Sequence, residues 1–157
     1  MRPLPFLALL FLAAALPLPA QIAGDTIEKR AANDAMTPWL QEVDQGAYAQ
    51  AWEESSAQLK KDANKETWIA SIQALREPLG KSLNRNLAST LLKAATAPVP
   101  GTALTQVTGE TVVAQYDSSF ENVKYALETV TFTKDPEGVW RAVSYTVQPK
   151  SDPDAQP

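Results

Sequence analysis

The spacing of the apolar residues changes once along this chain, near Leu87, and that change dictates the fold class. From Asp25 to about Leu87 they recur every three or four residues, as on one face of a helix. Beyond it they alternate, as in a strand with one covered side. Helices first and strands afterwards predict an α+β domain: N-terminal helices packed on one face of a curved antiparallel sheet of about four strands. The chain has 157 residues and no Gly/Ser-rich linker or internal repeat, so one domain is expected over residues 25–148, with a polar, Pro-rich, disordered tail at 149–157.

Within the helical half, Asp25 with Glu28 three residues on predicts a capped start. Ile27, Ala31, Ala35, Trp39, Leu40 and Val43 form the expected buried stripe. Pro38 predicts a kink or a split. A second helix is expected over 47–59 with Tyr48, Trp52 and Leu59 inward, then a polar linker over 60–65. A third helix runs over 65–76, capped by Asn64 and ended by Pro78-Leu79-Gly80. Strands are expected at 87–97, 111–120, 123–133 and 139–147, with an irregular loop opening at Pro98, a tight turn at Glu121-Asn122 and a hairpin loop at 134–138.

Pairing Phe120 with Val123 and Thr133 with Val139 sorts the strand side chains into two faces. Val112, Ala114, Tyr116, Phe120, Tyr125, Leu127, Arg141, Val143, Tyr145 and Val147 then meet the helices. Val113, Gln115, Asp117, Glu128, Val130, Phe132, Trp140 and Ala142 lie on the opposite face.

Cys and His are absent, which removes disulfides, thiol and imidazole catalysis, and Cys-based zinc sites. Asp and Glu never cluster as a calcium loop does, so no metal and no cofactor is expected. At the N-terminus, Arg2, an apolar run from Leu4 to Leu16 and then Pro17-Leu18-Pro19-Ala20 read as an export signal over residues 1–20. Cleavage is placed after Ala20, with Ala15 as second choice. The run of about 13 residues falls short of the ~20 a bilayer span needs, and without Cys no lipid can be attached. An exported protein is expected, periplasmic or secreted, with no stable membrane insertion after cleavage. Losing Arg2 takes the net charge from −4 to −5, which argues against nucleic acid as a partner.

Gly46-x-Tyr48 followed by Ala51-Trp52 resembles the second helix of nuclear transport factor 2-like (cystatin-like) domains. Trp39-Leu40, Asp44, Trp52, Lys65-Glu66-x-Trp68, Arg76-x-Pro78-Leu79-Gly80 and Arg85 resemble, more narrowly, family 4019 of the domains of unknown function. The likeness continues through Tyr116-x-x-x-Phe120, Glu128-Thr129-Val130-Thr131 and Gly138-x-Trp140-Arg141, covering about residues 33–148. The resemblance implies a cone-shaped fold and an exported bacterial protein; that family carries no established activity. Nuclear transport factor 2-like folds often hold a pocket between sheet and helices, and they commonly dimerise through the outer face.

Tyr48, Trp52, Trp68, Tyr116 and Tyr145 are therefore the candidate ligand-binding residues, the alternative being that they are core. The facing places Asp117 and Glu128 away from the tyrosines. A proton abstractor is thus missing unless Glu42 or Glu77 enters the pocket. Arg76 is read as capping a helix end or holding an anion. Val113, Val130, Phe132 and Trp140 form a candidate partner-binding patch on the outer face, unless the loop at 98–109 covers it. The expected function is a non-enzymatic module binding a small molecule or a protein. The alternatives are a homodimeric assembly module using the open face, or an isomerase- or dehydratase-type enzyme in the cone.

Overall fold

A computed structural model describes residues 19–94 and 109–152, with side chains from Thr26 onward. The expected irregular loop at Pro98, most of the export signal and the tail beyond Asp152 lie outside the described residues. Among the described residues four α-helices and a 3₁₀ turn precede four strands: α1 (Pro19–Asp44), α2 (Tyr48–Glu53), α3 (Ala57–Asp62), α4 (Lys65–Arg76), the turn Glu77–Leu79, then β1 (Ser82–Lys93), β2 (Thr111–Phe120), β3 (Ala126–Lys134) and β4 (Trp140–Pro149). The sheet is antiparallel in the order β1-β2-β3-β4, open and curved, with the helices on one face. Among the described residues no helix is long and apolar enough to cross a membrane.

Helix α4 spans the expected residues because its start is fixed chemically: the Asn64 side chain accepts the Thr67 N–H at 2.9 Å. The region 47–65 divides differently from expectation. Ser56 adopts an extended backbone and accepts the Leu59 N–H at 3.1 Å, so the expected single helix becomes α2 and α3, and α3 runs through the first half of the expected linker. Asp25 is not a start either, since α1 begins at Pro19. Nor does Pro38 split α1, which remains one helix to Asp44. Burial of Trp39, Leu40 and Val43 just beyond Pro38 offsets the roughly 3 kcal/mol an interior proline costs. The buried stripe is Ala32, Met36, Trp39, Leu40 and Val43, whereas Ile27 is 65% exposed.

Trp39 is the hub of the core. Its ring meets Phe132 edge-on at 6.0 Å and Tyr145 at 5.9 Å, and lies tilted against Trp68 at 6.3 Å. Its indole N–H donates to the Ala51 carbonyl at 2.9 Å, which ties α2 to α1. Gly80 (φ +75°) lets the chain turn from α4 into β1 beneath Glu121, whose Cβ would lie 2.9 Å from any Cβ placed there.

The expected faces hold on β2 and fail on β3. The turn bonds between Phe120 and Val123 are both present, yet ladder pairing resumes only with Ser118 opposite Ala126. One extra residue on the β3 side turns that strand over. Glu128, Val130 and Phe132 therefore point into the core, where each is at most 2% exposed. Trp140 and Ala142 follow them inward, and a bulge opposite Thr131/Phe132 then returns Tyr145 and Val147 to the same side. The apolar patch expected outside does not exist as a surface: Val130, Phe132 and Trp140 are core, and only Val113 lies on the outer face. That face carries Gln115, Thr129, Thr131, Ser144 and Thr146 around it.

Candidate functional site

Two arrangements stand out: a largely buried cluster of charges on the inner face of the sheet, and an apolar cleft beside β4.

The charge cluster is built from the ends of four elements. Asp44 closes α1, Arg76 closes α4, Arg85 lies on β1 and Glu128 on β3. Glu128 is fully buried and every bond it accepts is accounted for. Arg85 grips both carboxylate oxygens through Nε and Nη2, Ser118 donates to one at 2.8 Å, and the Tyr145 hydroxyl donates to the other at 2.6 Å. Asp44 takes Arg85 on both oxygens, at 2.8 and 3.0 Å, and Arg76 Nη2 at 2.9 Å. Arg76, 4% exposed, also donates to the Tyr145 hydroxyl at 3.0 Å and lies over the Phe120 ring. Two guanidiniums thus meet two carboxylates, so the buried cluster is neutral. Arg76 is neither a simple helix cap nor a free anion site.

Burial opposes the Glu128 charge, but the Arg85 hydrogen bonds and charge outweigh it and hold the carboxyl below its usual range. Tyr145 is pushed the other way, first by burial and then by the Glu128 charge. Glu128 is therefore an ionised acceptor with no free lone pair facing a cavity, the opposite of a poised proton abstractor. Two pH limbs follow. Below the ordinary carboxylate pKa of about 4.3, the unfolded chain takes up a proton that folded Glu128 refuses, so stability is lost as pH falls. Above about 10 the unfolded chain releases a phenolic proton that folded Tyr145 keeps, so stability is lost as pH rises. Urea midpoints across pH should show both limbs, and Tyr145→Phe should flatten the alkaline one.

The tyrosines separate sharply by what their hydroxyls touch. That of Tyr116 faces only the Met36 sulfur at 3.8 Å, inside the core. Tyr116→Phe is expected to change stability by less than about 1 kcal/mol. Tyr145→Phe removes a hydrogen bond to a buried charge and should cost about 1.5–3 kcal/mol by denaturant unfolding.

The cleft is an opening of about 290 Å³ lined by Leu59, Asp62, Ala63, Trp68, Ser71, Ile72, Leu75, Val143, Ser144 and Tyr145. It exists because α3 and α4 lean on the core through Leu59 and Ile72 without closing over the outer edge of β4. Of the five candidate ligand residues, the structure brings Trp68 and Tyr145 together here. Tyr116 lies in the core. Trp52 sits beneath the ammonium groups of Lys60 and Lys65, at 5.1 and 5.6 Å from its ring centre. Tyr48 borders a separate, polar hollow with Asp44, Arg76 and Glu77. Leu59, Ile72 and Leu75 are cleft residues not singled out for binding by sequence reasoning; their helical apolar spacing marks them only as core. Among the described residues no group of three His, Cys, Asp or Glu is placed to hold a metal.

Fold and site define a small α+β domain, helices laid on one face of a four-stranded antiparallel sheet, pinned by a neutral buried charge cluster and left open along one edge. The family model described as protein of unknown function (DUF4019) matches residues 35–145, more than half of the chain, and the chain belongs to that family. No curated protein and no solved structure matches it.

Proposed function

We propose that this is an exported, non-enzymatic binding module of nuclear transport factor 2-like type, periplasmic or secreted, whose recognition surface is the cleft between α3, α4 and β4. The observation that carries this reading is the contrast between the two arrangements. The two acid–base groups buried beside the sheet, Glu128 and Tyr145, spend their hydrogen bonds on one another and on Arg76 and Arg85, and neither Glu42 nor Glu77 lines the cleft. The cleft beside β4, by contrast, is lined mainly by apolar side chains. The export reading rests on Arg2, the apolar run and Ala20, and the fold type on the helices lying across a curved antiparallel sheet.

Native mass spectrometry of protein recovered from the extracytoplasmic fraction tests both parts. The expected result is a chain beginning at Gln21 that retains a bound mass, which Ser71→Trp, filling the cleft from the exposed side of α4, removes. A chain that keeps residues 1–20 in the cytosol overturns the export reading; a bound mass indifferent to Ser71→Trp overturns the cleft.

A further inference from the structure

We infer that the cleft takes an extended peptide segment that adds to the free edge of β4 and anchors one apolar side chain, beside a basic residue, between α4 and the strand. This rests on the cleft being the recognition surface and goes on to name its ligand class.

Position argues first. β4 ends the sheet order, so the side away from β3 carries main-chain groups with no neighbouring strand. The molecule itself uses that edge at one point: the Ser56 N–H donates to the Ala142 carbonyl at 2.9 Å. Beyond it, from Val143 to Val147, no loop or helix backbone of the described residues bonds to the edge, and Ser144 and Thr146 stand exposed. The cleft opens alongside those same residues. A strand edge running past a helix, with an apolar trough between them, suits strand addition: main-chain bonds supply affinity and the trough reads every second side chain.

Size and charge then choose the ligand. About 290 Å³ lies at the lower limit of small-molecule sites, which run from about 300 to 1,000 Å³, and it suits one branched or aromatic side chain. Its floor is Leu59 and Ile72, at 5% and 4% exposure, with Trp68, Leu75, Val143 and Tyr145 as walls. The charged residue in the lining is Asp62, exposed and bonded by the Gln58 amide. A lysine or arginine next to the anchor is therefore favoured over an acidic residue.

The test pans a random nonapeptide phage library on the mature protein and measures the enriched peptides by fluorescence anisotropy. Expected are sequences with an apolar anchor and a neighbouring basic residue. Methylating their backbone nitrogens one at a time should weaken binding at least about tenfold at alternate positions only. Ser71→Trp, with its thermal midpoint unchanged, should weaken it comparably. The inference is overturned if no peptide binds more tightly than about 1 mM, if N-methylation is indifferent to position, if binding is lost instead on changing Leu91 of the opposite edge strand, or if a second copy of the chain occupies the β4 edge. A retained small molecule displaced by Ser71→Trp, with no peptide binding, would overturn the peptide and leave the binding module standing.

Discussion

Replacing Glu128 by leucine is expected to lower folding stability by about 3–5 kcal/mol, enough to threaten a domain whose whole margin is of order 5–15 kcal/mol. The charge is not valuable because an ion pair is strong; a buried pair roughly offsets its own desolvation. The damage comes from what remains: Arg85, 17% exposed in its side chain, keeps Asp44 but loses both oxygens of its main partner, and the cluster is left with an unbalanced positive charge. Arg85→Met should be nearly as harmful, for the opposite reason. The double substitution restores neutrality, because Asp44 and Arg76 still pair at 2.9 Å. It should therefore cost at least about 2 kcal/mol less than the sum of the single changes. Urea unfolding of the three variants measures this directly. Additive losses would mean that Glu128 and Arg85 act separately and that the cluster is not a unit.

This cluster shows where the sequence was legible and where it was not. Asp44, Arg76, Arg85 and Glu128 all stand among the residues by which the family resemblance is read, yet nothing in their spacing says that they meet. They come from α1, α4, β1 and β3 and are brought together by the sheet register. Elements with local signals are legible in the sequence. The cap at Asn64 set α4, and the alternation over 111–120 set β2. The face of β3 had no such signal. It depends on a single extra residue between Val123 and Ala126, and a bulge leaves no mark in composition. That one residue moves Glu128 from an idle surface carboxylate to the most buried charge among the described residues. It also moves Trp140 and Phe132 from a docking patch to the core. The cleft is half legible, since Trp68 and Tyr145 stand out in the sequence by their rings. Ile72 and Leu59 look like any core residue until α4 and β4 are seen to stand apart.

Trp140 gives the second large effect and tests the register itself. Trp140→Glu places a carboxylate where the side chain is 7% exposed, on the inner face against Phe132 and the helices. Loss of the ring alone costs about 3–5 kcal/mol, and burial of a charge adds to it. Lys134, whose ammonium lies 5.9 Å from the Trp140 ring, is already held by both Glu28 oxygens and offers little relief. The variant should be largely unfolded, with collapsed near-ultraviolet dichroism. Trp140→Phe keeps an aromatic ring and removes an indole N–H that has no partner, so it should stay within about 1.5 kcal/mol of the parent. Val113→Glu, on the outer face opposite exposed Leu91, should cost less than about 1 kcal/mol. A folded, stable Trp140→Glu protein, no worse than Val113→Glu, would put β3 and β4 the other way up. Glu128 would then leave the interior, and the charge cluster with it.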